Sequence, residues 1–261
     1  MLLCPHPSYP LTHISVATYF LNGVLLGTHT NGYTSATWRL DSIPGAQLRF
    51  GDTLRPNVLA VHVDARMQHC TGWWYEGGGM FRNSFLSSSS HVRIPDHGVF
   101  VSATLPPGAF NYPTVPRKGI RASTAAITVR VGVDSDIDVR SNVTMATIVH
   151  FAVFDSGGQQ VASHTSRPGH LPENISSTLA LSQAHVWSVA RPYLYTLVTT
   201  LSVNGQVADS VNTTFGIRSV RWSAEQGLML NEQKVKLRGF CNHENFAGVG
   251  SAVPERVNLF R

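Results

Sequence analysis

The sequence has little charge and little cysteine. Of its 261 residues only 13% are Asp, Glu, Lys or Arg, against 43% hydrophobic. That balance supplies enough apolar surface for packed cores and lacks the charge density of a disordered chain. Its 3 cysteines, Cys4, Cys70 and Cys241, lie far apart, which excludes a disulfide framework and any Cys-x-x-Cys metal pair. No apolar run reaches the ~20 residues that cross a bilayer. The opening MLLCPHPSYPLTH has no charged n-region and is cut by Pro5, Pro7 and Pro10, so neither an anchor nor a signal peptide is expected. The net charge of +5 comes from Lys and Arg scattered along the chain without a cluster. Without a basic stripe to track phosphates, no nucleic-acid partner is expected. A Gly-x-Ser-x-Gly elbow and a phosphate-cradling glycine loop are also missing.

What is present reads as short strands. The run SVATYFL, residues 15–21, favours β-branched and aromatic residues; Asn22-Gly23 follows and VLLGTHT resumes the extended pattern. Asn-Gly between two such runs is a strong hairpin signal, because both central residues of a type I′ turn need positive φ. Further strands are expected over residues 36–40, 58–63, 81–86, 91–94 and 99–103, separated by Gly, Pro, Asp and Ser. Regular short strands without a long 3.6-period segment imply a sandwich.

The stretch 105–119 carries Pro106, Pro107, Gly108, Pro113, Pro116 and Gly119, a density that breaks regular structure and suits a crossing between domains. Beyond it, residues 125–133, 143–154, 160–164, 176–181, 195–203 and 207–215 read as strands. Asp155-Ser156-Gly157-Gly158 and Asn204-Gly205 supply turns. With the strand at 99–103 this is about seven strands, an immunoglobulin-like count. Residues 227–231 and 234–239 read as two more short strands around a turn, and VPERVNLFR turns helical. Three Asn-X-Ser/Thr sequons begin at Asn142, Asn174 and Asn212, a number that a Ser/Thr-rich chain reaches by chance and that leaves the compartment open.

Four collinear passages resemble family 2 glycoside hydrolases of the β-galactosidase kind. They are FLNGVLLGTHTNGYTSATWRLD from Phe20; NVLAVHVDA from Asn57 with TGWWYEGGGMFRNSFL from Thr71; VWSVARPYLYTL from Val186 with FGIRSVRW from Phe215; and GLMLNEQKVKLRGFCNHE from Gly227. The Trp-Tyr-Glu-Gly-Gly-Gly block is the most specific. The resemblance implies an all-β fold in three parts. These are a jelly-roll-like, sugar-binding-type sandwich over residues 1–98, an immunoglobulin-like sandwich over 99–218, and the truncated start of a catalytic (β/α)8 barrel over 219–261. It also implies that earlier strands of the first sandwich and most of the barrel lie outside this sequence.

The chemistry implied is retaining hydrolysis of a β-linked sugar, which needs an acid and a nucleophilic carboxylate roughly 5–5.5 Å apart. In the family both are Glu residues on later barrel strands, so no catalytic residue is expected here, and the chain alone is expected to be inactive. Asn231-Glu232 repeats an Asn-Glu dipeptide but reads as a turn. Arg238, Asn242, His243 and Glu244 fall at the C-terminal end of the first barrel strand, the face where barrel sites form, and are expected to line a sugar pocket. Trp73, Trp74 and Tyr75 offer faces for packing or for stacking on sugar rings, and Glu76 a loop-orienting carboxylate. Cys241-x-His243 gives too few ligands for a tetrahedral metal site, and His62 and His69 have no useful spacing. No metal or cofactor is expected. The expected partner is a β-galactoside-like carbohydrate, with homo-oligomers possible for a longer enzyme; the alternative is a non-catalytic carbohydrate-binding or interaction module.

Overall fold

The computed structural model describes residues 16–30, 34–51, 53–64, 79–80, 82–113, 119–136, 146–166, 173–241, 246–250 and 252–260. Two compact units form: Met1–Phe85 together with Gly239–Arg261, and Leu86–Arg238.

In the first unit β1 (Val16–Leu21) and β2 (Val24–His29) make the hairpin that Asn22-Gly23 announces, with φ of 52° and 86° at the two turn residues. Strand β3 (Leu59–Asp64) pairs antiparallel with the other edge of β1, giving the order β2-β1-β3. The pairing slips between Tyr19 and Phe20, and opposite that bulge Gly27 has a φ of 154°. Trp38 lies so close that a Cβ at position 27 would sit 2.4 Å from its ring. Residues 36–40, expected as a strand, form no ladder and run into a 3-10 turn at Leu40–Ser42: the Trp38 ring packs on a backbone where a strand would seek a ladder. Asn57 closes the loop that follows. Its Oδ1 accepts from the Arg49 N–H at 2.9 Å and its Nδ2 donates to the Arg49 carbonyl at 2.8 Å. A short helix, α1 (Glu255–Phe260), follows Pro254, where VPERVNLFR reads as helical. No helix among the described residues is long and apolar enough to cross a membrane.

The second unit is a sandwich. Its axis is β7 (Arg121–Ser135), a 15-residue strand. Strand β10 (Glu173–His185) covers one edge of β7. Strands β4 (Val92–Arg93), β5 (Val99–Thr104) and β6 (Phe110–Asn111) lie end to end along the other edge. The facing sheet has the order β12-β11-β8-β9, from β8 (Thr147–Phe154), β9 (Gln160–Thr165), β11 (Tyr195–Val203) and β12 (Gln206–Phe215). Alternate residues of both sheets build one core in which Ile127, Val129, Phe151, Val153, Leu197 and Leu201 are fully buried. Strand β6 sits inside the Pro-rich stretch, where proline density argues against a strand. Only Phe110 and Asn111 pair there, so the prolines flank the ladder without interrupting it.

A small sheet ends the unit, in the order β13-β14-β15, from β13 (Val220–Ser223), β14 (Gly227–Leu230) and β15 (Gln233–Lys234). The extended stretch expected over residues 234–239 pairs only at Gln233 and Lys234. A parallel barrel strand is held by neighbours on both sides, and every strand pairing among the described residues is antiparallel. Residues 82–86, also expected to be extended, form no strand, and Phe85 and Leu86 are exposed.

Candidate functional site

The alternation of buried and exposed residues along β7 and β10 inverts at one level. Ala125, Ile127, Val129, Val131 and Val133 face the core, yet Thr124 and Ser123 are both exposed and the buried residue becomes Ala122. Opposite, Leu179 and Leu181 are buried, Ser182 and Gln183 are exposed, and Ala184 returns to the core. The ladder skips Ser123 and Gln183, and Gln183 has a φ of 50°. A left-handed backbone at a residue bearing a Cβ costs about 1–2 kcal/mol. Without the inversion the strict two-residue period would aim Arg121 and His185 into the core. With it, both reach the outer face.

There they meet a cleft of about 540 Å³. Asn111, Tyr112 and Pro113 form one wall; Gly119, Arg121, His185 and Arg191 form the rest. Arg121 Nη1 donates to the Gln183 carbonyl at 3.0 Å. The Arg191 side chain lies over Gly119, where a Cβ would approach its Cδ to 2.8 Å. The His185 ring stacks on Tyr193 at 4.2 Å with an interplanar angle of 11°. Burial holds its pKa below the ordinary value, Arg121 and Arg191 push it the same way, and Asp155 opposes them. The His185 N–H donates to the Tyr195 hydroxyl oxygen at 2.7 Å. Burial raises the Tyr195 phenol to about 12, with the His185 N–H acting against the shift. Tyr112 is also raised, first by burial and then by the charge of Glu232.

Tyr112 connects this wall to the last sheet by donating its hydroxyl proton to the Asn231 carbonyl. Asn231 is almost completely buried. Its Oδ1 accepts from the Ser219 N–H at 3.1 Å, its Nδ2 donates to the Trp187 carbonyl at 2.9 Å, and its own N–H reaches the Ser219 carbonyl at 2.8 Å. With Glu232 it forms the turn expected from the sequence, with φ of 51° and 64°. Its side chain does more than turn the chain: it fastens the hairpin to the sandwich. Val235 extends that anchorage by donating to the Leu228 carbonyl at 2.9 Å, and Arg238 follows, exposed. Asn242, His243 and Glu244, expected beside Arg238, lie outside the described residues, as do Trp73, Trp74, Tyr75 and Glu76. Cys241 is exposed, and so is His62 on β3. Among the described residues no group of three His, Cys, Asp or Glu is placed to hold a metal. Sequence reasoning missed the cleft altogether. The signal that marks it is the double break in alternation, Ser123-Thr124 facing Ser182-Gln183.

Together the two sheets define an immunoglobulin-like β-sandwich, here continued by a small hairpin sheet and accompanied by a second unit with a three-stranded sheet of its own. The family model of glycosyl hydrolases family 2 matches residues 117–218. The β-galactosidase BoGH2A of Bacteroides ovatus is 29% identical over 241 residues, which are 91% of this chain and 25% of that protein. A β-glucuronidase of Formosa agariphila is 24% identical over 94% of this chain and 25% of its own length. A crystal structure of a glycosyl hydrolase family 2 member from Bacteroides cellulosilyticus shares the fold, with a TM-score of 0.74 at 24% identity over 92% of this chain and 31% of that one. Over residues 117–218 the chain is similar to glycosyl hydrolases family 2. It spans about a quarter of the length of these curated relatives.

Proposed function

We propose that this chain is the scaffold part of a β-galactosidase-like glycoside hydrolase, a retaining enzyme that cleaves O-glycosyl bonds of β-linked sugars. Its parts on this reading are a sugar-binding-type sandwich over residues 1–98, an immunoglobulin-like sandwich over 99–218 and the opening of a catalytic (β/α)8 barrel from 219. The observation that carries the reading is collinear similarity across 91% of the chain to a protein named a β-galactosidase.

The physical role of the scaffold is positional. A retaining glycosidase needs its two carboxyl groups fixed about 5–5.5 Å apart, and such a site tolerates little slack in the elements that support it. On this reading the Asn231 clamp sets where the chain leaves the sandwich, and Arg238, Asn242, His243 and Glu244 line the sugar pocket at the end of the first barrel strand. Trp73, Trp74 and Glu76 contribute from the first sandwich. Carbohydrate is the partner, and self-association belongs to the longer enzyme.

The test compares the purified 261-residue chain with a version extended through its full reading frame, on chromogenic β-galactoside and β-glucuronide. Hydrolysis by the extended protein alone is the expected outcome. Turnover by the 261-residue chain, free of host enzyme, defeats the scaffold reading.

A further inference from the structure

Three strands set three side chains in one row. Arg121 on β7 stands opposite Asn111 on β6 and, across its other edge, opposite His185 on β10. Residues directly opposite in an antiparallel ladder project from the same face with Cβ atoms about 4.5–5.5 Å apart. An amide, a guanidinium and an imidazole therefore lie side by side, and all three line the cleft of about 540 Å³. Small-molecule sites span about 300–1,000 Å³.

Most of the hydrogen-bonding capacity of this row is open. Arg121 commits one N–H to the Gln183 carbonyl. The Asn111 carboxamide and the His185 ring nitrogens bond to no other described residue. The His185 ring is held by its stack on Tyr193, and its pKa is lowered by burial and then by Arg121 and Arg191. Neutral at pH 7, it offers one donor and one acceptor. Arg191 lies as a wall over Gly119 and is engaged in interactions of its own. Tyr112 and Pro113 complete the recess. The Tyr112 ring is stacked on Phe110 and its hydroxyl is tied to the Asn231 carbonyl, so it presents a fixed apolar surface.

This inventory selects the ligand. A carboxylate accepts without donating, which leaves the Asn111 carbonyl and the imidazole lone pair unmet. A hydroxyl does both, and several on one ring reach three adjacent side chains at once. The C–H face of such a ring packs on an aromatic surface. Arg121 is exposed, so its charge stays hydrated and demands no counter-ion.

We propose that Asn111, Arg121 and His185 form a binding site for an uncharged saccharide, whose hydroxyls bridge the amide, the guanidinium and the imidazole while its ring rests against Tyr112. The site goes beyond the scaffold reading, since it lies on the sandwich and uses none of the residues assigned to the sugar pocket.

Calorimetry and NMR of the full 261-residue chain at pH 7 test it, with methyl β-galactoside, methyl β-glucoside and methyl β-mannoside as probes and inorganic phosphate as the anionic comparison. At least one glycoside binds one to one with a Kd on the order of 1 mM. Salt at about 0.5 M leaves that affinity unchanged, because no charge is neutralised. Binding shifts the nitrogen-15 signals of the His185 imidazole, assigned with His185→Gln, and leaves those of the exposed His164 in place. Asn111→Ala, Arg121→Ala and His185→Ala each weaken binding about fivefold, the loss of one hydrogen bond, and His164→Ala does not. Should any of these variants fail to fold by circular dichroism, the His185 shift in the unaltered chain decides. Absence of binding by all three glycosides, their displacement by phosphate, an unmoved His185 signal, or unchanged affinity in the folded variants overturns the proposal. Hydrolysis plays no part in this readout, so its outcome is separate from that of the scaffold test.

Discussion

Asn231 donates from its side chain to the carbonyl of Trp187, 44 residues earlier in the chain, at 2.9 Å. Through this bond and its partners at Ser219, a buried turn residue joins the small sheet β13-β14-β15 to the sandwich. Replacing Asn231 by Ala leaves the Ser219 N–H without its acceptor and the Trp187 carbonyl without a donor, in a nearly closed site. The expected destabilisation is about 2–3 kcal/mol, measured by urea denaturation. Early loss of amide-exchange protection in residues 220–234 accompanies it. Asn231→Gly, which relieves the positive φ and keeps the hydrogen-bond defect, falls between the two.

Tyr195 gives the sandwich a base-sensitive point. Its folded pKa, about 12, lies above the unfolded value near 10. The folded state therefore keeps a proton that the unfolded chain loses. Its contribution is intact below pH 10 and is lost as pH rises from 10 to 12. Denaturation curves between pH 9 and 12 are expected to show stability falling with pH, with a shallower fall in Tyr195→Phe. At pH 7 the same variant strands the His185 N–H and costs about 1–2 kcal/mol.

His185 acts in the opposite pH direction. Its pKa is lowered by burial and by the two arginines, so below about pH 6.5 the unfolded chain binds a proton more readily than the folded one. Stability contributed by the neutral ring is present above that value and falls as pH falls. His185→Gln is expected to flatten this acid limb between neutrality and pH 5, read as the slope of unfolding free energy against pH.

Gly27→Ala tests the first unit. The new methyl would overlap the Trp38 ring, at a backbone φ of 154° that side chains rarely adopt. A loss of about 2–3 kcal/mol is expected from overpacking and backbone strain together. Trp38 fluorescence should shift toward that of an exposed indole. An unchanged emission spectrum and unfolding midpoint would contradict the packing of Trp38 on Gly27.

Short-range signals in the sequence were enough to place the β1-β2 hairpin, the strands β7 to β12 and the turns at Asn204-Gly205 and Asn231-Glu232. Each depends on residues within a few positions, through β-propensity or through the positive φ that Asn and Gly tolerate. The strand expected at residues 36–40 failed because the fate of Trp38 depends on Gly27, and no local pattern carries that pairing. Strand β6 was obscured because proline density says where a ladder is difficult, while two free N–H groups at Phe110 and Asn111 suffice when a 15-residue partner passes alongside.

The sequence by itself determined the class of this protein: an all-β chain of collinear motifs resembling family 2 glycoside hydrolases, because motif order and strand period are properties of neighbouring residues. Only the tertiary structure decided that Arg121, His185 and Arg191 share a cleft and that Asn231 is a buried clamp. These residues stand far apart along the chain. They meet because the ladder of β7 and β10 inverts at Gln183 and because antiparallel pairing folds distant segments onto one another, which composition and spacing do not encode.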